Sequence, residues 1–246
     1  MKVHIITIDG PVASGKGTIA RLLAKALGFH LLDSGAIYRT HAQACLSRNI
    51  NFNEINKLEE QAKALSLKFF GEEVWLDGVD ATAVIRSEAV GMAASTLSAV
   101  PQVRAALMQR QRDFAAAPGL VADGRDMGTI VFPDAALKIY LTATAHVRAE
   151  RRVAQVARQR LTAGETRSAK QLIDKGKSPT MVSQLETIRA YVQPDVEAQI
   201  RRRDWQDKSR EIAPLKPAPD AIVIDNAAHG PNETAAAILK LWHLRS

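Results

Sequence analysis

The chain has 246 residues, 46% apolar and 24% charged, with a formal charge of +7 from 33 basic and 26 acidic side chains. That balance suits a globular protein with a sizeable core and excludes a disordered or fibrous chain. The single cysteine, Cys45, excludes an internal disulfide framework, and no apolar run reaches the ~18 residues of a membrane span.

The elements follow in order. The β-branched run "VHIITI" at 3–8 predicts a strand, and residues 16–28 predict an amphipathic helix with Ile19, Leu22, Leu23 and Leu27 on one side and Gly28 as its stop. A short strand at 29–32 and a helix from about 35 come next. "LSLKFFGEEVWLDG" predicts two short strands around a Gly-Glu-Glu turn. Residues 84–118 return to helix, broken near Pro101. Buried-type strands are expected at 119–126, 137–143 and 220–226, and a final helix from about Pro231. Strands separated by helices imply an α/β fold with a parallel five-stranded sheet flanked by helices. The hairpin breaks that alternation and marks a small insertion at about 66–104. Residues 144–210 are polar and helical, with breaks expected at Gly164, Gly176, Pro179 and Pro194.

Between the first strand and helix the chain reads "DGPVASGKGT". Gly10, Gly15 and Lys16 fit the phosphate-loop spacing G-x-x-x-x-G-K, in the strand–loop–helix setting that the motif requires. Successive backbone N–H groups feeding a helix N-terminus meet a polyphosphate without side chains, so Gly10, Pro11, Val12, Ala13, Ser14, Gly15, Lys16, Gly17 and Thr18 are expected to cradle a nucleoside triphosphate. The usual hydroxyl after the lysine is missing: Gly17 stands there and Thr18 follows. Mg²⁺ readily keeps its waters and leans on substrate phosphates, so "GKGT" fits a small phosphotransferase better than a hydrolytic switch. Thr18 and Asp123 are the metal candidates, mainly through water; Asp123 serves equally well as a structural residue at a strand end.

A second polyanion needs cations aimed at the transfer point. Arginine is dense at 148–160 and 201–210, and its planar fork suits phosphate. "LLDSGAIYR" sets Asp33, Ser34, Tyr38 and Arg39 after the second strand. "DGRD" puts Asp123, Arg125 and Asp126 at a strand's C-terminal end, where ligands of open α/β sheets sit. "RRDWQDKSR" spaces Arg203, Asp207 and Arg210 along one helix face. Each alone reads as well as a helix cap, a turn or a solvated face; together, behind a phosphate loop, they point to a nucleotide kinase.

These stretches, with "VADGRDMGTIVFPDA" and "APL", resemble the bacterial-type cytidylate kinases among the nucleoside monophosphate kinases, over about 3–160 and 200–242. The resemblance implies one P-loop kinase domain over 1–246, with a core of about 1–65, 105–147 and 211–246, an acceptor-binding insertion and a helical lid region at about 148–210. It implies Mg²⁺-dependent transfer from ATP to CMP and dCMP. Missing targeting signals and membrane spans lead to the expectation of a cytoplasmic protein, a monomer that binds neither nucleic acid nor membrane. By resemblance, Lys16, Arg125, Arg151 and Arg39 carry catalysis. Arg39, Arg125 and Arg86 hold the acceptor phosphate. Ser34, Ser95, Arg104 and Asp126 surround cytosine with Tyr38 and Arg210 nearby, and Arg203 and Asp207 meet the ribose. Arg148 and Arg152 share the lid stretch with Arg151. Residues 161–199 have no counterpart in those motifs and stand as an unusual extension; Gln206 stands where a basic residue is expected. Acceptors such as UMP, a hydrolytic switch and a nucleic-acid-binding protein are the competing readings.

Overall fold

The computed structural model describes the backbone of residues 3–162 and 181–245 and the side chains of 3–155 and 195–245. Strand β1 (His4–Asp9) runs into the loop before helix α1 (Lys16–Leu27); Gly28, left-handed at φ 66, ends that helix with its N–H on the Ala24 carbonyl. Then come β2 (His30–Asp33), α2 (Ser34–Ser47) and α3 (Ile55–Lys63), the last lying in a stretch for which the sequence predicted no element. Strands β3 (Leu67–Phe70), β4 (Glu73–Leu76) and β5 (Val79–Asp80) form a separate antiparallel sheet of three strands rather than the expected two. Helices α4 (Glu88–Leu97) and α5 (Pro101–Arg112) follow, with Pro101 opening α5 as a first-turn residue.

The main sheet adds β6 (Gly119–Gly124), β7 (Leu137–Thr142) and β8 (Ile222–Asp225). Its order is β2-β6-β1-β7-β8, all parallel as expected. Side chains alternate across it: Leu120 and Ala122 of β6 join a core with α2, α4 and α5, while Val121 joins one with α1 and α8 (Pro231–His243). Both faces are covered, which is why β6 is buried at every residue. The register sets Asp9 of β1 beside Gly124 of β6, and Asp33 of β2 beside Asp123 of β6, so the functional loops leave one edge of the sheet together.

Two long helices cross that edge, α6 (Ala145–Thr162) and α7 (Met181–Ser209), packed along one another. The expected break at Pro194 does not occur; α7 runs through it. An interior proline removes one helix hydrogen bond, yet the helix continues on both sides of it. The breaks predicted at Gly164, Gly176 and Pro179 lie outside the described residues.

One buried contact ties the sheet to its functional edge. The two Asp9 carboxylate oxygens accept the backbone N–H groups of Met127 (2.9 Å) and Gly128 (2.8 Å), at the start of a π-helical turn over Met127–Val131. Burial pushes the Asp9 carboxyl from 3.8 up to about 7, against the pull of those two donors. Because the folded-state value is the higher one, the proton contributes stability that is complete below 3.8 and lost as pH rises through about 7. The unfolding free energy of wild type minus that of the non-titrating Asp9→Asn, measured by urea unfolding, therefore falls as pH rises from 3.8 to about 7 and levels off above. A rise in that quantity over the same range contradicts the burial effect.

Candidate active site at the sheet edge

A cleft of about 830 Å³ opens where β1, β2 and β6 end. Its floor is the phosphate loop. Gly10, Pro11 and Ser14 form the buried underside, and Val12, Ala13, Gly15, Lys16, Gly17 and Thr18 line the cleft. Gly15 is left-handed at φ 88, the conformation that turns the loop into α1 and that side chains beyond glycine rarely adopt. Lys16 Nζ donates to the Pro11 carbonyl at 3.4 Å. Burial and then Arg125 pull its amine well below the ordinary lysine range, while Asp123 and Asp33 oppose that shift.

The position after Lys16 lies close against a carboxylate. A Cβ on Gly17 would lie 3.0 Å from Asp123 Oδ2. The carboxylate from β6 approaches the space into which a side chain at this position would project. Burial raises the Asp123 carboxyl, and Lys16 works in the opposite direction. Thr18 follows in the first helical turn and lines the cleft.

The second wall comes from α2, α4, α5 and the β6 exit. Asp33 caps α2 by accepting the Ala36 N–H at 3.0 Å, while Ser34 Oγ donates to the Asp123 carbonyl at 2.7 Å. "DSG" thus both caps a helix and locks β2 to β6. Arg39, one turn further, donates to the carbonyls of Ile85 (2.9 Å) and Ser87 (3.3 Å); burial and the nearby Arg203 lower its guanidinium to about 10. Arg104 is buried, pairs with Asp126, donates to the Ser98 carbonyl at 3.2 Å and stands 5.9 Å from the Tyr38 ring centroid.

From α7, Asp207 collects three partners: Arg125 Nε at 2.9 Å, Arg210, and Ser95 Oγ at 3.4 Å. Burial works to raise the Asp207 carboxyl, but Arg125 and Arg210 hold it below its ordinary value. Arg203, Asp207 and Arg210 all face the cleft, as their helical spacing predicted.

Two predicted residues have partners that the motifs did not suggest. Arg86 lies outside the cleft lining, its guanidinium 3.5 Å from the Glu72 carbonyl. Arg151 lines the cleft and also reaches the end of β8, donating to Asn226 Oδ1 (3.1 Å) and to the Asn226 carbonyl (2.6 Å). Arg152, one residue on, instead meets Glu88 Oε2 at 3.4 Å, and Arg203 meets Glu88 Oε1 at 3.7 Å. Helix geometry explains the split, since adjacent residues point about 100° apart. Arg148 is consumed structurally, pairing with Asp204 and donating to the Val12 carbonyl at 3.0 Å.

The motifs missed Asp9, Glu88, Asp204 and Asn226. The rule that ligands gather beyond the carboxyl ends of parallel strands points to Asp9 and Asn226, which end β1 and follow β8; Glu88 and Asp204 lie on helices with no such signal.

The cytidylate kinase family model matches residues 6–178 and 181–244. A cytidylate kinase of Ralstonia pickettii is 44% identical over 243 residues, covering 99% of this chain and 93% of that protein. One from Chromobacterium violaceum is 47% identical over 225 residues, covering 92% and 89%, and one from Saccharophagus degradans 45% over 245 residues, covering 98% and 97%. The family match takes in most of 161–199, where the motifs alone suggested no counterpart.

The charge arrangement around Lys16 predicts two shifts of opposite sign. Asp123→Asn removes a charge that favours the ammonium and lowers the Lys16 pKa further; Arg125→Ala removes a repelling charge and raises it. The pH dependence of the ¹³C-dimethyl-lysine signal reads both.

Proposed function

The chain belongs to the cytidylate kinase family, and from that premise we propose that its cleft aligns ATP and CMP end to end for direct in-line phosphoryl transfer. The enzyme moves the γ-phosphoryl group of ATP to CMP or dCMP, giving ADP and the cytidine diphosphate. The observation that carries the site assignment is the convergence of Lys16, Arg39, Arg125, Arg203 and Arg210 on one cleft behind the phosphate loop. Two polyanions meet there only if their repulsion is neutralised in advance.

Residues 10–18 hold the ATP phosphates, with Lys16 on the transferred group. Arg39 and Arg125 grip the acceptor phosphate. Of the lid arginines, Arg152 takes the transfer point, because its partner Glu88 is shared with Arg203 and its charge is felt at Arg39. Arg151 serves the donor side. Asp126 and Arg104, with Ser95 and Tyr38 beside them, read the base: a carboxylate accepts from the cytosine amino group and a guanidinium donates to its acceptors, a pattern that uracil inverts. Arg203 and Asp207 meet the ribose.

The acceptor phosphate oxygen is already a nucleophile, so alignment and charge neutralisation suffice. Mg²⁺ fits a cleft whose hard oxygen donors, Asp123 and Thr18, would hold it through water, and it would supply further neutralisation of the donor phosphates. Helices α6 and α7 cover the cleft and exclude water that would otherwise compete as acceptor.

Lys16→Ala is expected to lower kcat by on the order of 10²–10³ in a coupled assay of CMP-dependent ADP formation. Arg39→Ala is expected to raise KM for CMP while leaving KM for ATP within about twofold. Asp126→Ala is expected to narrow the CMP-over-UMP preference; an unchanged ratio of kcat/KM values across CMP, dCMP, UMP and AMP removes it from base reading.

A further inference from the structure

Asn226 follows the last residue of β8 and is buried beside the phosphate loop, 2% exposed. Its backbone N–H donates to the Thr142 carbonyl at 3.0 Å, which fixes it to the sheet. Its side-chain Nδ2 donates to the Ser14 carbonyl at 2.9 Å, and its Oδ1 accepts from Arg151 Nη1 at 3.1 Å. Its own carbonyl accepts the other end of the same guanidinium, Nη2, at 2.6 Å. One side chain therefore touches the loop that faces the donor phosphates and the lid helix that covers them.

We propose that Asn226 is a positioning residue for the donor nucleotide, holding the Ser14–Gly15 turn and the Arg151 guanidinium in one fixed relation, a role that rests on the assignment of this loop to ATP. The chemistry selects an amide. The group must donate to a carbonyl and accept from a guanidinium at once, and at this length only asparagine carries both functions on one planar head. The two partners also fix which atom is which, since a carbonyl takes the N–H₂ and a guanidinium takes the oxygen. An aspartate of the same shape keeps the Arg151 contact, loses the donation to Ser14, and brings a negative charge to the loop; Nδ2 lies 3.7 Å from where a Cβ on Gly15 would stand. An alanine loses both contacts and leaves the buried Ser14 carbonyl without that donor.

The consequence is a split between the two substrates. Asn226 has no contact with the acceptor wall formed by Arg39, Arg104 and Asp207, so its loss falls on ATP. Calorimetric titration with a non-hydrolysable ATP analogue, without CMP, is expected to give about tenfold weaker binding for both Asn226→Ala and Asn226→Asp, the loss of roughly one buried hydrogen bond. KM for ATP rises in parallel, while KM for CMP stays within about twofold. Arg151→Ala combined with Asn226→Ala is expected to cost less than the sum of the two, because both break one unit. Asn226→Asp guards against simple misfolding, since it is isosteric, and thermal unfolding of each variant monitors the fold. The proposal is overturned if Asn226→Asp binds the analogue as wild type does, if KM for ATP and CMP rise together, or if the double variant is additive. Failure of the wild type to transfer phosphate to CMP would instead remove the functional assignment, which the titration without CMP tells apart.

Discussion

The geometry of the cleft depends on the Asp9 carboxylate. It ends the central strand, sits 4% exposed, and holds the N–H groups of Met127 and Gly128 with one oxygen each. Between the β6 strand and that grip lie only Arg125 and Asp126, so their directions are set by a strand on one side and a carboxylate on the other. The phosphate loop begins at the next residue, Gly10. The phosphate loop and the turn that carries Arg125 are therefore anchored to one residue, and their separation is a property of the sheet rather than of flexible side chains.

Concentrating guanidinium groups in a partly buried cleft is costly unless each is compensated. Carboxylates supply that compensation: Asp207 for Arg125 and Arg210, Asp126 for Arg104, Asp204 for Arg148, and Glu88 for Arg152 and Arg203. The pairing has a second effect. An arginine held by a carboxylate on one side keeps its remaining N–H groups aimed in a fixed direction, so the site is organised before any phosphate arrives. Lys16, Arg39 and Arg151 differ: Lys16 and Arg39 contact backbone carbonyls, Arg151 contacts Asn226, and the Lys16 charge is weakened by burial and by Arg125.

Much of this was legible in the chain itself. The parallel sheet, the phosphate loop and the common face of Arg203, Asp207 and Arg210 follow from local pattern, because strand alternation and helix periodicity are short-range properties. Helix α3 was not foreseen: its stretch "NEINKLEEQAK" is short and polar, and what fixes it is burial of Leu58 and Ala62. Pro194 misled because an interior proline normally ends or kinks a helix, whereas α7 runs through it beside α6. The different partners of Arg151 and Arg152 were equally out of reach. Adjacent arginines look alike in sequence, and their destinations are set by Asn226 and Glu88, which are distant along the chain. The meaning of Gly17 also required a residue from another strand, Asp123.

Helix α7 links features that a nucleotide meets separately. In its last third, Asp204 pairs with Arg148 of α6, and Arg148 in turn touches the Val12 carbonyl of the phosphate loop. Three residues further, Asp207 grips Arg125 and Arg210. The paired helices thus form a single lever resting on both halves of the cleft. A swing of either helix therefore disturbs the phosphate loop and the Arg125–Asp207 pair together, so the two halves of the cleft open as one clamp, not as two independent doors.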